Sequence, residues 1–208
     1  MRTLLITLAG IAAGFALPHG DPTQEPPLHF DVQIDGTTHQ AAEGKKTSIK
    51  IGDIEHQLTV AVSPLRHFAA AGLQFDYPRD AIFEYELDEG TESWTIETNN
   101  LVFMIHRFED GGAQMMAKLM IGATLSALDS EVKAKPRTIE FGGKTYKGAG
   151  AVAAVGDVGI DITMVGMTID GKAIVITVQN TLGDDSKFAS DSVAATAMIQ
   201  KTFRIAGK

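Results

Sequence analysis

Residues 158–180 read VGIDITMVGMTIDGKAIVITVQN, two strand-like runs joined by Asp170-Gly171. In the first run apolar residues occupy both alternating sets, with Val158, Ile160, Ile162 and Met164 on one and Val165, Met167 and Ile169 on the other. Successive strand side chains point to opposite faces, so both faces require cover. The second run repeats the pattern, Ala173 and Val175 alternating against Ile174, Ile176 and Val178. Asp-Gly tolerates the positive φ that a type I′ turn needs at both central positions. The stretch therefore predicts the central hairpin of an antiparallel sheet with something on each side.

Upstream, residues 138–141, a Gly142-Gly143 turn and residues 144–155 form another expected hairpin, its second arm rich in Gly148, Ala149, Gly150 and Ala151. Small residues there point to close approach by a helix, or to a bulge. Residues 112–128 read as a helix: Met116, Leu119, Met120, Ala123 and Ala127 form one stripe, with Ile121, Leu125 and Leu128 roughly opposite. Before it come strands at 73–78, 81–88, 94–98 and 101–108; in the second of these Phe83, Tyr85 and Leu87 are expected to face in and Glu84, Glu86 and Asp88 out. Residues 65–71 read as a short, helical connector. Downstream, Ser190 is expected to cap a final helix with Asp191 in its first turn and Ala195, Met198, Ile199 and Thr202 as its stripe.

Nearer the start, residues 30–62 alternate in short runs separated by Asp35-Gly36 and Gly52-Asp53. Residues 34–40 (IDGTTHQ) and 51–57 (IGDIEHQ) echo each other, which predicts two similar hairpins. Residues 17–28 hold Pro18, Pro22, Pro26 and Pro27 and read as an extended spacer. Residues 1–16 have a basic start at Arg2, an apolar run and Gly14-Phe15-Ala16 as a small-x-small cleavage site, the pattern of a signal peptide. That run is short for a membrane span, which takes about 20 residues. The expectation is a soluble exported chain beginning at Leu17, with no transmembrane segment.

The chain has no cysteine. That excludes disulfides, a thiol nucleophile, thiolate metal sites and a lipobox, and fits a periplasmic or secreted bacterial protein. Loss of Arg2 with the signal takes 18 basic residues to 17 against 26 acidic, a net charge of −9, which argues against nucleic acid as partner.

The domain reading is a signal peptide (1–16), a Pro-rich spacer (17–28), a small β-hairpin module (29–63) and an α+β domain (72–206) built as an antiparallel sheet with helices packed on its faces. Residues 75–78, Phe-Asp-Tyr-Pro, and the closing helix running into residues 201–205, Lys-Thr-Phe-Arg-Ile, resemble the opening and close of the PsbP-like superfamily over residues 72–206. That superfamily includes an extrinsic photosystem subunit, a Ran-binding nuclear import factor and exported bacterial proteins of unknown role. The resemblance implies a largely non-enzymatic domain and no shared catalytic residues.

Candidate chemistry is sparse. His39 and His56 hold equivalent places in the echoed hairpins and are the candidates for a metal site, with nearby carboxylates, yet no histidine pair has the spacing of a helical zinc site. Glu84, Glu86, Asp88, Glu89, Glu92 and Glu97 form an acidic run without a base, suited to a cation or a basic partner, or simply to a solvated edge. Lys133, Lys135, Arg137, Lys144 and Lys147 are its basic counterpart, and such separation of sign suits protein contact. No Gly-x-Ser-x-Gly elbow is present, and no acid pair stands out for hydrolysis. Gly143-Lys144-Thr145 lacks the first glycine of a phosphate loop, and residues 148–153, Gly-Ala-Gly-Ala-Val-Ala, match a dinucleotide pattern in a hairpin context. Met104, Met115, Met116, Met120, Met164, Met167 and Met198 read as core filler rather than copper(I) ligands. The expected function is a non-enzymatic interaction domain binding another envelope protein or a small ligand, with no cofactor. The alternative is a histidine/carboxylate metal-binding protein or metal-dependent enzyme.

Overall fold

A computed structural model of the chain describes residues 8–9, 29–128, 131–183 and 185–206. The expected signal peptide and spacer lie outside the described residues, apart from residues 8–9. The chain divides into two compact units, Met1–Ser63 and Pro64–Lys208.

In the first unit β1 (Leu8–Ala9), β2 (His29–Ile34) and β3 (Thr37–Ala42) form an antiparallel sheet, and β4 (Lys46–Ile51) pairs with β5 (Ile54–Thr59). Asp35 and Gly36 both take positive φ, as the two-residue turn requires. The echo in the sequence is an echo in register. His39 stands opposite Val32, and His56 opposite Ile49. Among the described residues, Val32, Ile49 and Ala41 are the buried apolar ones here, a small core.

The second unit contains β6 (Leu65–Ala70), β7 (Leu73–Pro78), β8 (Ile82–Asp88), β9 (Thr91–Glu97), β10 (Leu101–Phe108), α1 (Ala113–Ala127), β11 (Lys135–Phe141), β12 (Lys144–Val155), β13 (Val158–Ile169), β14 (Lys172–Thr181), α2 (Ser190–Thr202) and β15 (Arg204–Ile205). Seven strands make one antiparallel sheet in the order β11-β12-β13-β14-β10-β9-β8, and β15-β7-β6 make a second. The α+β expectation is thereby corrected: the domain is mostly antiparallel β, with only two helices among the described residues, of 15 and 13 residues. Residues 65–71, read as a helical connector, are a strand and a turn, because Ala71 and Gly72 at positive φ fold β6 back onto β7.

The β13–β14 hairpin lies inside the large sheet and is buried on both faces. On one, Ile162, Met164 and Val175 pack with Ala151 and Ala153 under Ala117, Ile121 and Leu125 of α1. Leu119, assigned to an apolar stripe, is exposed, as is Met115. On the other face, Val165, Met167, Ile174, Ile176 and Val178 meet Phe75 and Tyr77 of β7, Ala195 and Ile199 of α2, and Phe203. Aromatic rings tie this layer together: Phe75 stacks on Phe68 at 4.7 Å and meets Phe103 edge-on at 5.2 Å, and Phe141 stacks on Phe203 at 4.8 Å. Gly166 lets the first turn of α1 lie directly on the sheet, and its carbonyl accepts a hydrogen bond from Gln114 Nε2 at 2.7 Å. Ser190 is the first helical residue of α2 rather than its cap. Ala189 takes the N-cap place without a side-chain bond, and Asp191 in the first turn accepts from Asn100 Nδ2 at 3.1 Å.

Candidate interaction surface

β8 is the outermost strand of the large sheet, and all seven of its residues are exposed. This corrects the expected burial of Phe83, Tyr85 and Leu87, which are 42%, 51% and 64% exposed. They do point to the face that carries the aromatic core, but its cover thins out here. Phe83 reaches Phe68 and Tyr77 at 6.5 and 6.4 Å between ring centres, and Tyr85 leans on the buried Trp94 at 5.5 Å. Beyond those contacts the apolar row faces solvent. Tyr85 donates a hydrogen bond to Glu92 Oε1 at 3.2 Å, and Glu92 is ion-paired with Arg107. Partial desolvation, and then the Glu92 carboxylate, hold the Tyr85 hydroxyl above its ordinary pKa.

The acidic run is not one cluster. Alternation sends Glu84, Glu86 and Asp88 to the face opposite Phe83, Tyr85 and Leu87. Glu89 lies in the turn at positive φ, and Glu97 stands opposite Ile82. Among the described residues Glu84, Glu86 and Asp88 form no ion pair.

The basic counterpart is also dispersed, around β11 at the far edge of the sheet. Arg137 crosses over Gly150, where a Cβ would strike its side chain, and donates to Asp161 Oδ1 at 2.5 Å and Thr163 Oγ1 at 3.1 Å. The small residues of β12 thus make room for an arginine as well as for α1. Lys133 and Lys135, with Lys118 and Glu131, rim a groove of about 710 Å³ between α1 and residues 131–136, lined by Ala117, Ile121, Leu125, Val132, Pro136 and Ala149.

His39 is half-buried on β3 and His56 exposed on β5, in separate sheets. Among the described residues, no three or more histidine or acidic side chains gather as metal ligands. Residues 143–145 sit at the turn between β11 and β12, and residues 148–153 lie within β12, so neither glycine motif opens a helix. One polar pair escaped sequence reasoning. His106 on β10 stands opposite Ser93 on β9, with Ser93 Oγ 2.8 Å from His106 Nδ1, and burial holds the imidazole below its ordinary pKa. Register counted back from the turn at residues 98–100 would have revealed it. A serine beside an imidazole begins a nucleophilic constellation, but among the described residues no carboxylate bonds the ring to orient it.

No helix among the described residues is long and apolar enough to cross a membrane. No family model matches the chain, and no curated protein matches it. Among solved structures, a protein from Bacteroides thetaiotaomicron VPI-5482 is similar at 13% identity and a TM-score of 0.42, over 70% of this chain and 50% of that one. This chain thus spans half the length of that protein. The Saccharomyces cerevisiae Ran-binding protein Mog1p is similar at 12% identity and a TM-score of 0.41, over 68% of this chain and 95% of its own. The likeness is one of fold and is weak.

Proposed function

We propose that the chain is an exported, non-enzymatic binding domain that takes another protein of the cell envelope at the β8 end of its large sheet. The observation that carries the reading is the exposed row Phe83, Tyr85 and Leu87 beside the buried Trp94. A contiguous apolar row with two aromatic members at a sheet margin has the composition of an interface centre, and water is a poor neighbour for it. The signal-peptide pattern of residues 1–16 supports the periplasm or the secreted fraction as its location.

The test is photo-crosslinking in the native envelope from a benzophenone side chain at position 85, with position 140 on the far edge strand as control. A protein adduct formed from position 85 and not from 140 is expected. The same adducts from both positions, or none from 85, refute the reading. The groove beside α1 supports a second reading, a small amphipathic ligand whose anionic end meets Lys118, Lys133 or Lys135. A thermal shift with long-chain carboxylates, lost in Lys133→Glu/Lys135→Glu, would favour it.

A further inference from the structure

The partner's chemistry can be read from the free edge of β8, an inference that rests on the binding role just proposed. The Glu89-Gly90 turn has two residues, both at positive φ, and closes on the pair Asp88 and Thr91. In such a hairpin the closing pair is hydrogen-bonded, and antiparallel pairs then alternate between bonded and non-bonded. Asp88, Glu86 and Glu84 therefore spend their backbone groups on β9. The N–H and C=O groups of Leu87, Tyr85 and Phe83 point away from the sheet, along an edge that no strand occupies among the described residues.

The free edge thus offers three things in one register: ladder groups from alternate residues, an apolar row on one face and an acidic row on the other. We propose that β8 accepts an extended, basic segment of the partner protein as an added strand, its apolar residues against Phe83, Tyr85 and Leu87 and its lysines or arginines against Glu84, Glu86 and Asp88. Backbone bonds of this kind supply affinity and alternate side chains supply selectivity. Charge decides between a partner and a second copy of this chain. Antiparallel pairing of two β8 strands sets acid against acid, and like charges directly opposite are destabilising. The other free edge, β11, carries Pro136, which has no N–H to give.

The test uses the purified chain and three fluorescein-labelled heptapeptides alternating lysine and valine: unmodified, N-methylated at the valines and N-methylated at the lysines. Only one set of alternate amides faces β8, so the two methylated peptides should differ in affinity by at least tenfold by fluorescence anisotropy, the better one matching the unmodified peptide. Glu84→Lys/Glu86→Lys should reverse the preference towards a glutamate–valine peptide, with Trp94 fluorescence confirming an intact fold. Equal affinity of the two methylated peptides would reduce the contact to charge alone and overturn the added strand. Absence of peptide binding, or concentration-dependent dimerisation through β8 in sedimentation, would overturn it too. In those cases an adduct at position 85 leaves the binding role standing, and loss of that adduct removes both.

Discussion

Gly166 and Gly122 set the same substitution in opposite settings. A Cβ on Gly166 would fall well inside 3.0 Å of the carbonyl of Ala113 and lie 2.8 Å from the amide of Gln114, so it meets helix backbone and not a side chain that can swing away. Relief requires the first turn of α1 to rise by roughly 1 Å, and overpacking of that kind costs about 1–3 kcal/mol, at times more. Lifting the helix altogether would cost more still, because it exposes Ile121 and Leu125 at about 1.5–3 kcal/mol each and uncovers Ile162, Met164 and Val175 beneath them. Gly166→Ala should therefore destabilise the second unit by about 3 kcal/mol. Gly122 lies within α1 with nothing inside 4 Å of its would-be Cβ, so Gly122→Ala should stabilise by about 0.5–1 kcal/mol through helix propensity. Trp94, the single tryptophan, is buried in this unit and reports urea unfolding without a label. Equal effects of the two substitutions, or a cost below about 1 kcal/mol at Gly166, would refute the seating of α1 on the sheet.

The imidazole of His106 prefers its neutral form in the fold, so the unfolded chain takes up a proton first, near the ordinary value of 6.5. That contribution to stability is present above about pH 6.5 and is lost as pH falls towards the depressed folded value; His106→Gln should flatten this part of the profile in urea titrations. Arg137→Met strands the carboxylate of Asp161, whose side chain is 13% exposed, while Arg137 itself is 31% exposed. The cost should be about 2 kcal/mol, below the 3–5 of a fully buried pair, and Arg137→Met/Asp161→Leu should cost less than the sum of its single changes. Phe83→Thr/Tyr85→Thr/Leu87→Thr should cost about 2 kcal/mol in all, because each side chain is already roughly half exposed. Phe75→Ala alone, at a fully buried position stacked on Phe68, should cost about 3–5. A triple variant that fails to fold would show that the β8 row belongs to the core.

Long segments with apolar residues on both faces were legible. The bounds of β12 and β13 and the site of α1 follow from periodicity, and the turn at Asp170-Gly171 adopts the positive φ values expected of it. Local reasoning failed where tertiary pairing decides. The β6 segment carries Arg66 and His67 between apolar residues and shows no clean alternation; its strand conformation comes from β7, reached through a turn that puts Ala71 at positive φ. Ser190 looked like a cap, yet the helix begins one residue earlier in register and leaves Ala189 at that place. Of the candidate surface, the acidic run and the common face of Glu84, Glu86 and Asp88 were visible from composition and alternation, but the places of Glu92 beside Leu87 and Glu97 beside Ile82 depended on knowing which pairs of the β8–β9 hairpin align.

The bare face of β8 is itself informative. Alternating apolar and acidic residues are the pattern of a strand with one covered face, and strand, alternation and turn all occur where the pattern places them. What is missing is the cover: β6, β7 and α2 form one layer over the sheet, and the exposed row starts at Phe83, where contacts to Phe68 and Tyr77 end. A strand meant only to close the sheet against water needs no large apolar residues, and the charges of Glu84, Glu86 and Asp88 would suffice to block unwanted pairing. Disagreement between local pattern and global fold is expected at functional positions. On the proposed binding role, Phe83, Tyr85 and Leu87 encode a half-covered face whose remaining contacts a partner strand supplies.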